Sequence, residues 1–230
     1  MQSSFFVWLG SKRARKQGVG EKGALLDQAA GARLPVPSGG ILLDGFYKEA
    51  LADRLLVKEK GQIICPNPEL LHDALYLRAR FPKLEKPVTV RPLFVVGDGR
   101  FSPQLNIHFT HPSELAHSLC EVYSAAHSES ERWDVVVMEM VEVVVRGTAV
   151  TRAATTTDTI TYNEQSTTLP HLGIFQAARD DIPPFAQRLQ KLLRGVRRTF
   201  GKGKWIVDWA DDGQVCWVLG LDKSKQENGR

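Results

Sequence analysis

VGEKGALLDQAAGARLPVPSGG, running from Val19 to Gly40, is the stretch on which the fold turns. Gly20-Glu21-Lys22-Gly23 opens a segment with apolar residues at Leu25, Leu26, Ala29 and Ala30, the spacing of one helix face, and Gly31 stands where a helix would stop. Leu34-Pro35-Val36-Pro37 then forbids helix, because each proline fixes its own φ and pushes the preceding residue into extended geometry. The expectation is a lysine on a flexible loop at a helix N-terminus, with a rigid extended exit. A lysine so placed can reach a phosphate, helped by the backbone N–H groups of the first helical turn. On local grounds alone, a solvated lysine ahead of an ordinary surface helix explains the same residues with fewer assumptions.

The surrounding chain has the composition of a folded, water-soluble protein. Its 230 residues can bury a sizeable core as one domain or two closely packed lobes. An apolar fraction of 43% and a charged fraction of 24% are ordinary, and a net charge of +4 is too mild to argue nucleic-acid binding. Cys65, Cys120 and Cys216 lie far apart with no CxxC pair, which points to neither a zinc site nor a disulfide framework and favours a reducing, cytoplasmic setting. The apolar FFVWLG near the start is too short to span a membrane and reads as a short strand or packed arm. The basic residues Lys12, Arg13, Arg15 and Lys16 follow it as a solvated loop.

Downstream, Ile41-Leu42-Leu43 reads as a buried strand, and Asp44 as the N-cap of a helix from Gly45 to about Leu56. Asn67-Pro68 starts a helix carrying Leu70, Leu71, Ala74, Leu75 and Leu77, closed by Phe81-Pro82. The β-branched runs Val88 to Arg91 and Leu93 to Val96 are broken by Pro92 and lead through a Gly97-Asp98-Gly99 turn to a strand from Gln104 to Phe109. A helix from Pro112 to about Ala126 and a polar linker, His127 to Arg132, precede Val135 to Val141, whose unbroken apolar character implies a strand covered on both faces. Glu142 to Val150 reads as its partner strand, with a kink or bulge at Arg146-Gly147. Thr151 to Thr168 is expected to form an exposed hairpin or loop, and Leu172 to Ala177 a further strand. From Pro184, Phe185, Leu189, Leu192, Leu193, Val196 and Phe200 make one apolar helical stripe, its arginines and Lys191 filling a solvated face. The chain closes with a hairpin, Lys204 to Ala210 and Gln214 to Leu219, turned at Asp211-Asp212-Gly213, and a charged tail.

Four of these segments, in this order, resemble the N-terminal ATP-grasp domain of the pyruvate phosphate dikinase and phosphoenolpyruvate synthase family. GEKGALLDQAAGARLPVPSGG is similar to the family's lysine loop with its LPVP exit, and VTVRPL to its VAVRSS strand. VVVMEMVEVVVRGTAVTR is similar to its paired strands around an adenine-holding hinge, and FGKGKWIVDWADDGQVCWVL to its metal-binding hairpin. The resemblance implies an α+β fold of ATP-grasp type: two α/β lobes with mostly antiparallel sheets around a nucleotide cleft, residues 1–126 forming the N-terminal lobe, 127–222 the C-terminal lobe and 223–230 a flexible tail. It also implies ATP, or another adenine nucleotide, with Mg. Lys22 and Arg91 would hold phosphates, the backbone of Glu139, Met140 and Val141 the adenine, and Asp208 the metal.

The departures bear on activity. Where the family has a glutamine and an arginine after the metal ligand, the chain has Gly220 and Asp222. Pro92 and Leu93 replace the serines after the arginine strand, no glycine-rich phosphate loop follows, and Asp208 is one methylene shorter than the family's glutamate. Phosphoryl transfer depends on electrostatic clamping, and losing one such arginine costs on the order of 10³ in rate. The six histidines are scattered and form no phosphohistidine motif. The expected function is therefore nucleotide binding with weak or no phosphotransfer, with any phosphate passing to a protein partner. The alternative is a catalytically dead pseudoenzyme serving as a structural subunit in an assembly. Nucleic-acid binding ranks last because it rests on charge alone.

Overall fold

The computed structural model describes residues 5–77, 80, 84, 86–94, 104–108, 110–125, 132–173, 176 and 181–224. The expected Gly97-Asp98-Gly99 turn, the Phe81-Pro82 stop, most of the 127–132 linker and the last six residues of the tail lie outside that set. The chain divides into two compact units, Met1–Ala24 with Ser38–Met140, and Leu25–Pro37 with Val141–Arg230.

The first unit begins with β1 (Phe6–Trp8) and the start of α1 (Glu21–Gly31). β2 (Gly39–Leu42), α2 (Asp44–Ala52) and the hairpin of β3 (Val57–Glu59) and β4 (Gln62–Ile64) follow. The unit is completed by α3 (Pro68–Leu77), β5 (Val88–Pro92), β6 (Gln104–Ile107), α4 (Pro112–Ser124) and β7 (Val135–Glu139). Five strands form an antiparallel sheet in the order β1-β2-β7-β5-β6. Strand alternation splits its residues between two faces. Leu42, Val88, Val90, Val135 and Val137 join the core cluster with Phe46 of α2, Leu71 and Leu75 of α3, and Leu115 and Leu119 of α4. Ile41, Thr89, Arg91, Val136 and Met138 point the other way. Leu70 and Leu77 of α3 are exposed.

Asp44 is the first residue of α2, and Leu43 stands at the N-cap. The cap is supplied from a distance: Asp44 N–H donates to Asp134 Oδ1 at 2.9 Å, and Asp44 Oδ1 accepts from Trp133 N–H at 3.1 Å. Arg132 donates twice to Asp134, at 2.8 and 2.9 Å, so both buried carboxylates have partners.

The second unit contains β8 (Val145–Arg152), β9 (Thr157–Tyr162), β10 (Gln165–Pro170), α5 (Pro184–Phe200), β11 (Lys204–Asp211) and β12 (Cys216–Lys223). Its antiparallel sheet has the order β10-β9-β8-β11-β12. Two sequence expectations change here. Residues 145–152 pair with β9 and β11 and not with β7, because the run from Met140 to Val144 leaves the first sheet before a new strand begins. The irregularity expected at Arg146-Gly147 lies instead in the β11–β12 pair, between Asp208 and Trp209. Gly147 is required for close approach: a Cβ there would run into the Thr161 carbonyl and stand 3.1 Å from the Trp209 ring. The Thr-rich stretch forms the β9–β10 hairpin, turned at Asn163 and Glu164, both at positive φ.

Leu189, Leu193 and Val196 of α5 and Trp205, Val207 and Trp209 of β11 are buried in the second unit, where Phe185 stacks on Trp209 and Phe200 lies against Trp205. The basic face of α5 is only partly solvated. Arg188 donates twice to buried Asp211, both at 2.7 Å, and Arg197 pairs with buried Asp158, which also meets His171 Nε2 at 2.8 Å. Arg194 donates to the Gly173 carbonyl at 2.9 Å, and Leu172, Gly173 and Gln176 lie outside any strand. The Leu34-Pro35-Val36-Pro37 exit is extended as expected: Pro35 O accepts from Val218 N–H at 2.7 Å, and Leu34 packs on Gly195. Among the described residues no helix is long and apolar enough to cross a membrane.

Candidate functional site

In the first unit, Lys22 lies within the first turn of α1 and not on a loop ahead of it, because the helix starts at Glu21. Its side chain is exposed. The glycines on either side have steric roles. A Cβ at Gly23 would stand 2.5 Å from Val19 Cγ1, 2.7 Å from Leu93 Cδ1 and 3.3 Å from Ile41 Cδ1. A Cβ at Gly20 would come 3.9 Å from the Leu93 carbonyl. The start of α1 therefore sits against Leu93, just beyond β5, on the sheet face that carries Ile41.

Arg91 is two residues before Leu93 and, by strand alternation, shares its face. It is half-buried on β5 opposite Val136 of β7. Thr89, two residues earlier again and opposite Met138, is buried, and its Oγ1 has no hydrogen-bond partner among the described residues. Sequence reasoning missed Thr89, although the alternation in Val88-Thr89-Val90-Arg91 places it beside Arg91 and away from the two core valines. One face of the first sheet thus brings together a helix N-terminus, Lys22, Arg91 and an unsatisfied hydroxyl, a set suited to an anionic, oxygen-rich ligand.

The expected hinge falls where the first unit ends. Glu139 closes β7 and Met140 follows it, while Val141 opens the second unit's share of the chain. Glu139 N–H donates to Ser38 O at 2.8 Å and Met140 N–H to Pro87 O at 2.7 Å, so both amides serve the sheet. Met140 Sδ accepts from Asn106 N–H at 2.9 Å.

In the second unit, Asp208 is exposed on β11, opposite Thr148 of β8 and Gly220 of β12. The register shift after Asp208 makes Leu219 the extra residue of β12. Asp222, opposite Ile206, and Gly220 provide no cation on this strand. An open depression of about 360 Å³ beside Asp208 is bordered by Arg146, Thr148, Thr161, Asn163 and Glu164, none of which the sequence had singled out for binding. Among the described residues no three His, Cys, Asp or Glu side chains converge in a metal cluster. A cation on the hard oxygens of Asp208 would complete its shell with water and ligand oxygens, a coordination that suits Mg²⁺. A larger cavity, about 480 Å³, lies in the first unit and contains Cys65, His117 and Cys120. None of the residues expected at the site lines it.

No protein-family model and no curated protein matches the sequence. In structure, the chain is similar to a RimK-domain ATP-grasp protein from Sphaerobacter thermophilus DSM 20745, at 17% identity and a TM-score of 0.46, over 86% of this chain and 56% of that one. It is similar to D-alanine-D-alanine ligase from Helicobacter pylori, at 11% identity and a TM-score of 0.48, over 90% of this chain and 55% of that one. It is also similar to N5-carboxyaminoimidazole ribonucleotide synthetase, solved as an ADP complex, at 9% identity and a TM-score of 0.49, over 93% of this chain and 47% of that one. The chain spans about half the length of these solved proteins.

Proposed function

We propose that the chain is a divergent ATP-grasp domain, of the phosphoenolpyruvate synthase and pyruvate phosphate dikinase type, that binds an adenine nucleotide with Mg²⁺ and has weak or no phosphotransfer activity. The observation that carries this reading is the shared sheet face of the first unit, where the N-terminus of α1 abuts the end of β5 and Thr89 leaves a buried hydroxyl unsatisfied beside Arg91. Lys22 and Arg91 take phosphate oxygens, and Asp208 takes the metal. At the hinge the Glu139 and Met140 amides already donate within the sheet, so adenine is held by the carbonyl groups of Glu139 and Met140 and by the backbone of Val141. Calorimetry with Mg-ATP tests the reading. Wild type releases heat on binding, Lys22→Ala and Arg91→Ala each weaken affinity about tenfold, the loss of one charge-assisted contact, and absence of binding by the wild type overturns it.

A second reading is favoured by β12. Gly220 and Asp222 place no cation beside Asp208, which fits a pseudoenzyme that keeps the fold as a structural subunit. It predicts no change in melting temperature with Mg-ATP and a stable complex with a protein partner.

A further inference from the structure

We infer that Arg146 is the phosphate-binding cation of the second unit, and that the depression it shares with Asp208 takes a metal-complexed polyphosphate and not a free anion. The inference rests on the nucleotide-binding reading above and adds a residue to it. Thr148 of β8 is paired with Asp208 of β11, and Arg146 lies two residues along β8 on the same face, about 7 Å away by strand rise. The side chain is exposed and makes no hydrogen bond or ion pair with any described residue. No structural duty therefore holds it, in contrast to Arg188 and Arg197, which serve buried carboxylates.

The remaining border is polar. Thr148 and Thr161 are paired across β8 and β9, and Asn163 and Glu164 form the hairpin turn beside them. Asp208 and Glu164 against one guanidinium give the border more negative than positive formal charge, which disfavours a bare phosphate. A divalent cation on Asp208 would reverse that sign, and Arg146 would donate to the phosphate oxygens, for which a guanidinium offers two parallel donors.

Calorimetry on the full chain with inorganic tripolyphosphate, with and without Mg²⁺, and with Mg-ATP provides the test. Wild type is expected to bind tripolyphosphate only with Mg²⁺. Arg146→Ala weakens both Mg-complexed ligands about tenfold, and Arg146→Lys less, because it keeps the charge and loses the fork. Arg152→Ala, on the same strand and face but outside the depression, binds as wild type does. All three variants keep the wild-type melting temperature. If wild type and Arg146→Ala bind Mg-ATP equally, or tripolyphosphate binds equally well without Mg²⁺, this inference is overturned and the nucleotide reading stands. If wild type binds neither ligand, both fall.

Discussion

Gly220 faces Asp208 across the β11–β12 pair, and a Cβ at position 220 would stand 2.7 Å from Asp208 Oδ2. The carboxylate has settled into space that a larger residue would occupy. Gly220→Gln should therefore displace the Asp208 side chain. The obstacle is the far end of an exposed side chain, so the stability cost stays below about 1 kcal/mol. The Mg²⁺ concentration needed for nucleotide binding shifts severalfold, as titration of Mg²⁺ at fixed ATP would measure; an unchanged requirement would remove Asp208 from the metal site.

Thr89→Val separates fold from function. The buried hydroxyl lacks a partner among the described residues, and an isosteric methyl removes its desolvation cost, so urea unfolding should show a gain of roughly 1 kcal/mol. Nucleotide affinity falls in the same variant. A gain in stability with unaltered affinity would place Thr89 outside the ligand's reach.

Asp211 is buried and is held by both ends of the Arg188 fork. Arg188→Ala strands that carboxylate and should destabilise the chain by about 3 kcal/mol, toward the low end for a broken buried pair because the arginine is itself partly exposed. Asp211→Asn, which removes the charge and keeps the shape, should cost less. Equal losses in urea melts of the two variants would mean that charge is not what matters there.

Burial pushes the Cys120 thiol up from 9.0 to about 12, with the neighbouring Cys65 adding to the shift. Burial raises Cys65 as well, against a backbone hydrogen bond from Asn67 that lowers it. At pH 8 only about one Cys120 in ten thousand is a thiolate, so iodoacetamide should label the less buried Cys65 first. Cys120 labelling should rise about tenfold per pH unit in the native protein. The folded chain holds the Cys120 proton more tightly than the unfolded chain. Its contribution to stability is therefore complete below pH 9 and lost as pH rises toward 12. Equal labelling rates at pH 8, followed by mass spectrometry, would contradict this.

Asp212 titrates the opposite way. Burial alone would raise its carboxyl, but donation from Trp217 Nε1 at 2.8 Å and from the Val215 and Gln214 amides holds it below its ordinary value. Its contribution is present above that ordinary value and is lost as pH falls through the lower folded one. Trp217→Phe removes one donor. The variant should show a smaller loss of stability than wild type between pH 4 and pH 2, measured by urea unfolding at each pH.

Much of this arrangement was legible in the chain, and the losses have physical causes. The prolines of Leu34-Pro35-Val36-Pro37, the apolar stripe of α5 and the Asp212-Gly213 turn are local signals, and each gave its element. The β3–β4 hairpin has little sequence signature because three-residue strands carry almost no periodicity, and only Lys60-Gly61, both at positive φ, marks its turn. Residues 145–152 pair with β9 and β11 and not with β7 because pairing is decided by tertiary register, which β-propensity does not carry. The arginines of α5 looked solvated because nothing local shows that Asp158 and Asp211 wait beneath them. At the candidate site, residue types were readable, whereas the pairing of Asp208 with Gly220 and its proximity to Arg146 needed the sheet.

The two carboxylates under α5 also govern how that helix can be seated. An apolar stripe by itself tolerates a slip of one turn, since Leu189 and Leu193 are interchangeable as shapes. With Asp158 and Asp211 sealed in the sheet, a slipped helix would bury two negative charges with no cation opposite. The ion pairs thus act as a proofreading device for docking: they add little to the depth of the correct well and make the neighbouring wells shallow. Replacing Arg188, Asp211, Arg197 and Asp158 together with apolar residues of similar volume should leave the melting temperature near its present value while broadening the amide resonances of α5, the mark of a helix with more than one seat.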